Sequence, residues 1–158
     1  SRRQRQMCIR DRFREFAKGF EKLSDSEIDD LCVACSKELA ARLLALVIPA
    51  TPVGKYPKGS GKKGGTLRRG WGAKNGKAGR EYAQSLTVTK SGNTYMVEII
   101  NPVEYASYVE FGHRTVNGGW VKGRYMLTIS EEKLKRIAPS VLEKMALRKL
   151  KEVCNGGN

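Results

Sequence analysis

The chain has 158 residues but one histidine, four cysteines and no apolar run of bilayer length. Each shortage removes a class of function. A membrane span needs about eighteen consecutive apolar residues. The best candidate, LAARLLALVIPA (39–50), is cut by Arg42 and Pro49. No membrane partner is therefore expected, and the first twenty residues lack the continuous apolar stretch of an export signal. Cysteine is too sparse for a disulfide scaffold. Cys32 and Cys35 form one C-x-x-C, but without a second pair or a cluster of histidines it makes a poor zinc site. Small apolar residues on a helix face is the expected role for both. His113 lies between Phe111 and Arg114, with no nucleophile and orienting carboxylate placed around it by spacing. A solvent-facing or interface histidine is the expectation. Glu81, Glu98, Glu104 and Glu110 show neither metal-ligand nor paired-acid spacing. No catalytic residue, metal or cofactor is expected, and nothing points to an enzyme.

Acid is missing altogether from 54–80, where 27 residues hold nine glycines and nine lysines or arginines. The whole chain carries +14, which favours polyanionic partners without specifying a fold. The opening SRRQRQMCIRDR lacks periodicity and reads as a non-native or disordered segment, so residues 1–23 are set aside from fold reasoning. Its five arginines and one aspartate account for +4, and the remainder is still +10. A single domain is expected over 24–153, with 154–158 as a flexible tail.

Along that domain, apolar residues recur at three- and four-residue intervals through SDSEIDDLCVACSKELAARLLALVI, predicting a long amphipathic helix ended by Pro49. Ser24 and Glu27 have capping-box spacing. The segment 54–80 reads as a long loop, mobile unless a partner orders it, because glycine and mutually repelling charges oppose compaction. EYAQSLTVTK and NTYMVEIIN alternate and are joined by SGN, predicting two antiparallel strands that can place one face under the first helix. NPVEYASYVEFG predicts a short helix capped by Asn101 and stopped by Gly112. HRTVNGGWVKGRY reads as a glycine-containing loop with partial hairpin pairing. Helical spacing resumes through Leu134, Ile137, Val141, Met145 and Leu150, with Ser130 as its cap and a kink or restart at Pro139. The expected class is α+β: a small antiparallel sheet packed by a long N-terminal helix, a short middle helix and a C-terminal helix.

The basic loop does not form a phosphate cradle, because GSGKKGGT puts Gly65 where a P-loop requires lysine and no strand precedes it. Its cations could instead neutralise phosphates while Trp71 stacks on a base, or simply keep the chain soluble. They could also meet acidic neighbours in an oligomer.

The order of motifs is similar to a known family. A helix ending in TPV is followed by a loop ending in GTLRRGW, a strand pair, YASYVEFGHR, and GRYML leading into a basic helix. This order resembles the head-tail joining, or tail-completion, proteins of long-tailed phages, the "gene product ten-like" family of phage Hong Kong ninety-seven, over about Ser24 to Val153. Thr51, Pro52 and Val53 correspond to the helix-exit motif. Gly65, Thr66, Leu67 and Arg68 correspond to the loop exit, and Tyr105, Ala106, Tyr108, Val109, Glu110, Phe111 and Gly112 to the tyrosine-rich helix. Where the family has a short TPVDTG-x-L passage, this chain carries GKYPKGSGKKG and no acid.

The resemblance implies a non-enzymatic virion part at the neck, present in host cytoplasm before assembly. It implies self-association as a ring, expected to be a hexamer, between the head connector and the tail tube or tail terminator, with packaged DNA in the lumen as a further partner. On that reading Lys55, Lys58, Lys62, Lys63, Arg68, Arg69, Trp71, Lys74, Lys77 and Arg80 form an assembly or DNA-facing loop. Tyr105, Tyr108, Glu110, Phe111 and Trp120 are interface anchors, although Tyr108 and Phe111 could equally cover the sheet. The alternative is a free-standing, non-specific DNA- or RNA-binding protein.

Overall fold

The computed structural model describes residues 21–72 and 79–155. Its elements are helix α1 (Asp25–Ala50), α2 (Thr66–Gly70), α3 (Gly79–Ser85), strands β1 (Val88–Ser91) and β2 (Thr94–Val97), helix α4 (Ala106–Phe111), strands β3 (Gly112–Arg114) and β4 (Trp120–Lys122), and helix α5 (Met126–Asn155). The class is α+β and mostly helical. The described residues form two compact units, one drawn from 21–35 and 139–155, the other from 36–72 and 79–138.

In the first unit α1 starts with a complete capping box. The Glu27 N–H donates to the Ser24 hydroxyl at 3.2 Å, and the Ser24 N–H and O–H reach Glu27 Oε1 at 3.4 and 3.1 Å. These bonds satisfy amides that have no partner within the helix. Leu23 and Leu31 are buried, as are Val141, Ala146 and Leu150 of α5. Cys32 and Cys35 are half-buried thiols, and the described residues contain no cluster of three or more metal-ligating side chains. Helix α5 continues through Pro139 without a restart. It starts at Met126, so Ser130 is not its cap. Ser130 is buried one turn inside and donates its hydroxyl to the Met126 carbonyl at 2.6 Å.

The second unit holds the main core. Ala40, Ala41, Leu44 and Val47 of α1 pack with Leu67, Trp71, Ala83 and Met126. Pro49 lies in the last turn of α1, as its sequence position required. No helix of the described residues is long and apolar enough to cross a membrane.

The first strand of the expected pair begins later than alternation suggested. Residues 79–85 are helical, and only Val88–Ser91 form β1. Tyr82 and Leu86, four residues apart, fit one helical face as well as an alternating one, and Ala83, which only the helix places beside them, is fully buried. Helix α1 settles the choice from outside. Arg80 at the start of α3 makes a paired contact with Glu38, 2.8 and 3.3 Å, and Lys37 Nζ donates to the Gln84 carbonyl at its end, 2.9 Å. Cations at a helix C-terminus also suit its dipole.

The Arg80 hydrogen bond holds the Glu38 carboxyl below its usual range, partly opposed by burial and assisted by Arg42. A carboxyl depressed in this way contributes stability that is complete above the ordinary glutamate range and is lost as pH falls through the lower, folded value. Glu38→Gln should therefore lower the melting temperature at neutral pH and leave a smaller gap from wild type in acid. Thermal melts across pH 2–7 measure this, and a gap that does not change with pH would remove Glu38 from the acid response.

Strands β1 and β2 pair antiparallel from Val88↔Val97 to Ser91↔Thr94. Their two-residue turn has a positive φ, 59°, at Gly92, the first central position, where a type II′ hairpin takes glycine. Tyr95, Val97 and Ile99 are half-buried while Met96, Glu98 and Ile100 are exposed, so the expected alternation holds here. The second hairpin pairs Gly112↔Lys122 to Arg114↔Trp120, the partial pairing expected of that loop.

Candidate assembly surface

The described residues of the basic segment 54–80 do not form one loop. The stretch 66–72 packs into the core. Leu67, Gly70 and Trp71 are buried, and the Trp71 indole N–H donates to Thr51 Oγ1 at 2.7 Å while that hydroxyl donates to the Val47 carbonyl at 2.7 Å. Arg68 gives Nε and Nη2 to the Thr51 carbonyl, 3.2 and 2.9 Å, and Nη2 also to the Pro49 carbonyl, 3.2 Å. These carbonyls lie at the end of α1, where partners are lacking and the helix dipole is negative. Thus Trp71 has no open face for a base, and Arg68 fastens a helix end instead of facing DNA. Arg80 is likewise held by Glu38, although much of its side chain remains exposed. Arg69 is exposed and bonds locally to the Gly64 carbonyl and Thr66 Oγ1. Lys74 and Lys77 lie outside the described residues.

The first half, 54–64, is a closed loop. Its two ends meet so closely that a Cβ on Gly64 would overlap the Gly54 carbonyl oxygen. Inside, Ser60 N–H donates to the Pro57 carbonyl and Lys62 N–H to Ser60 Oγ. Gly59 and Gly61 take φ of 90° and 68°, values that cost a side chain dearly. With its ends closed, a loop of this length costs little, since loop entropy grows only logarithmically with length. Lys55, Lys58, Lys62 and Lys63 are all exposed, and Lys62 lies 5.9 Å over the Tyr56 ring. Tyr56, Val53 and Tyr105 line a shared cleft of about 230 Å³, which joins the loop to the aromatic surface.

That surface is built around α4 and the β3–β4 hairpin. Tyr105, Tyr108, Phe111 and Trp120 are 43, 58, 60 and 63 % exposed, so Tyr108 and Phe111 do not simply cover the sheet. Phe111 meets the Tyr125 ring edge-on at 6.4 Å, and Tyr108 lies 5.6 Å from the ring of His113. His113 is half-buried rather than facing solvent, and its Nδ1 is enclosed without a hydrogen-bond partner among the described residues. Helix α4 ends at Gly112 as the sequence required, with φ 86° and ψ 173°, a region essentially reserved for glycine. The start differs from the expectation. The helix begins at Ala106, and Asn101 instead ties a preceding turn to α2, accepting from Val103 N–H and donating to the Leu67 carbonyl.

Glu110 is the one anchor that the structure withdraws from the surface. It is buried, and its carboxylate accepts from Leu127 N–H (2.8 Å), Thr128 N–H (3.0 Å) and Thr128 Oγ1 (2.6 Å). It therefore caps the N-terminus of α5 from another helix, where no residue of α5 supplies a cap. The strained Tyr125, φ 48°, lies just before this site. A lone glutamate on a tyrosine-rich helix carries no sequence signal for this role.

The model of the HK97-gp10-like family ("Bacteriophage HK97-gp10, putative tail-component") matches residues 14–112, more than half of the chain. The chain belongs to the HK97-gp10-like family. Membership makes it a structural tail component of a bacteriophage, associated with the virion. No curated protein and no solved structure is significantly similar to it. The matched region includes the Thr51–Arg68–Trp71 fastening. It begins within the 1–23 segment set aside above and ends at Gly112, the first residue of β3, so the rest of the β3–β4 hairpin and α5 of this HK97-gp10-like chain lie beyond the matched region.

Proposed function

We propose that this protein completes or joins the tail at the phage neck, assembling with copies of itself as a ring between the head connector and the tail tube. The supporting observation is the uncovered aromatic surface of Tyr105, Tyr108, Phe111 and Trp120. Aromatic side chains left in water by one chain supply large contact area at small entropic cost when another chain covers them. The role is structural and non-enzymatic, and six copies are the working number. The lysine loop 54–64 adds a cationic element beside this surface, directed to acidic neighbours or to DNA in the lumen.

Changing Lys55, Lys58, Lys62 and Lys63 together to alanine should reduce joining of purified heads and tails about tenfold or more while leaving the melting temperature within a few degrees, because exposed substitutions away from packed features cost little. Joining at wild-type efficiency would exclude the loop from assembly. The same exposed lysines favour a second reading, binding of nucleic acid by the isolated chain. It requires log affinity to fall with log salt by about 0.9 for each phosphate contacted on duplex DNA. Undetectable binding at moderate salt would dismiss that reading and leave the neck role standing.

A further inference from the structure

The β3–β4 hairpin is only two strands wide, and every residue from 114 to 122 is exposed. A two-stranded hairpin without a covered face is marginal in water. This one leaves Val116 fully exposed, Trp120 largely so and Val121 partly so. From Gly112 to Tyr125 it carries Arg114, Lys122 and Arg124 and no acid. Elsewhere in the same unit, α1, the β1–β2 hairpin and the first turns of α5 enclose a groove of about 1030 Å³. Leu39, Leu43, Leu86 and Leu134 line its apolar part, and its only charged lining residues are Glu98 and Glu131. An acidic, apolar groove is unusual on a chain of net charge +14, and it complements the hairpin in both respects.

We infer that the β3–β4 hairpin of one copy docks in the α1/β1–β2/α5 groove of the next. Arg114 and Lys122, which share the Trp120 face of the hairpin, meet Glu98 and Glu131, while Trp120 and Val116 cover the leucines. The hairpin and the groove are different surfaces of one chain, so the contact is head-to-tail, and such contacts close into rings when the rotation per step permits. This inference rests on the ring reading above and supplies its subunit interface. Fixed complementary charges set register and suppress wrong partners.

The test places a photo-crosslinking amino acid at Val116 of the full chain, a position fully exposed and therefore tolerant. Irradiated oligomers, alone or on isolated tails, should yield intermolecular products with peptides containing residues 86–99 or 127–134. Glu98→Lys with Glu131→Lys should weaken self-association roughly tenfold or more, and adding Arg114→Glu with Lys122→Glu should restore it. Oligomers crosslinked at other surfaces, products with residues 1–20 of the same chain or with another tail protein, or a charge swap that fails to restore association would each overturn the interface while leaving the ring intact. A chain that remains monomeric even on tails would overturn both.

Discussion

Replacing Trp71 with alanine should lower the unfolding free energy by about 3–5 kcal/mol, the usual cost of truncating a large buried aromatic. The indole is 3 % exposed, packs in the main core, and donates to Thr51 Oγ1. Removing it empties the space beside Leu67 and Ala83 and also frees the segment that carries Arg68 to the end of α1. A loss of this size is a large part of the stability of an ordinary domain. Thr51→Val separates the two contributions: it keeps the volume but leaves the buried indole N–H without its acceptor, for about 1–3 kcal/mol. Urea midpoints of the three proteins are the measurement. A Trp71→Ala midpoint equal to wild type would mean that 66–72 is not part of the core.

Glu110→Ala should cost about 2–4 kcal/mol, because it strips three donors of a common acceptor and buries two amides without one. Those amides, Leu127 and Thr128, are among the first in α5 and have no helical partner. Hydrogen exchange should therefore accelerate at Leu127 and Thr128 before the rest of the helix. Glu110→Gln keeps one acceptor oxygen but turns N–H groups toward other donors, so it should fall between alanine and wild type. Unchanged exchange at both amides in the alanine variant would exclude the cap. The substitution also bears on assembly indirectly, since Glu110 links the aromatic surface of α4 to the start of α5. A joining defect in Glu110→Ala would report a misplaced surface rather than a lost contact.

These two residues show where sequence reading reaches its limit. Trp71 stands among glycines and lysines, and averaging composition over 54–80 hides the short TLRRGW element that returns to the core. Its acceptor, Thr51, is twenty residues away in the chain, and only the folded path brings the two together. Glu110 has an apolar neighbourhood that suggests an interface, whereas the donors that claim it are seventeen residues onward. Helix α3 is hidden for a related reason: Tyr82 and Leu86 satisfy both an alternating and a helical pattern over so short a window, and contacts from Glu38 and Lys37 on α1 decide between them. The exposure of Tyr108 and Phe111 has no local signature either, since the same residues at the same spacing can face a sheet.

By itself the sequence determined the α+β class, the capping box at Ser24, the Gly92 turn, the stop at Gly112 and the phage family. All of these depend on residues a few positions apart, or on the order of motifs along the chain, and such relations exist before folding. Tertiary structure alone decided that 66–72 of the basic segment packs into the core, that Arg68 and Glu110 serve helix ends, and which aromatics remain in water. Those outcomes depend on which distant groups meet and exclude solvent, and no local pattern encodes that.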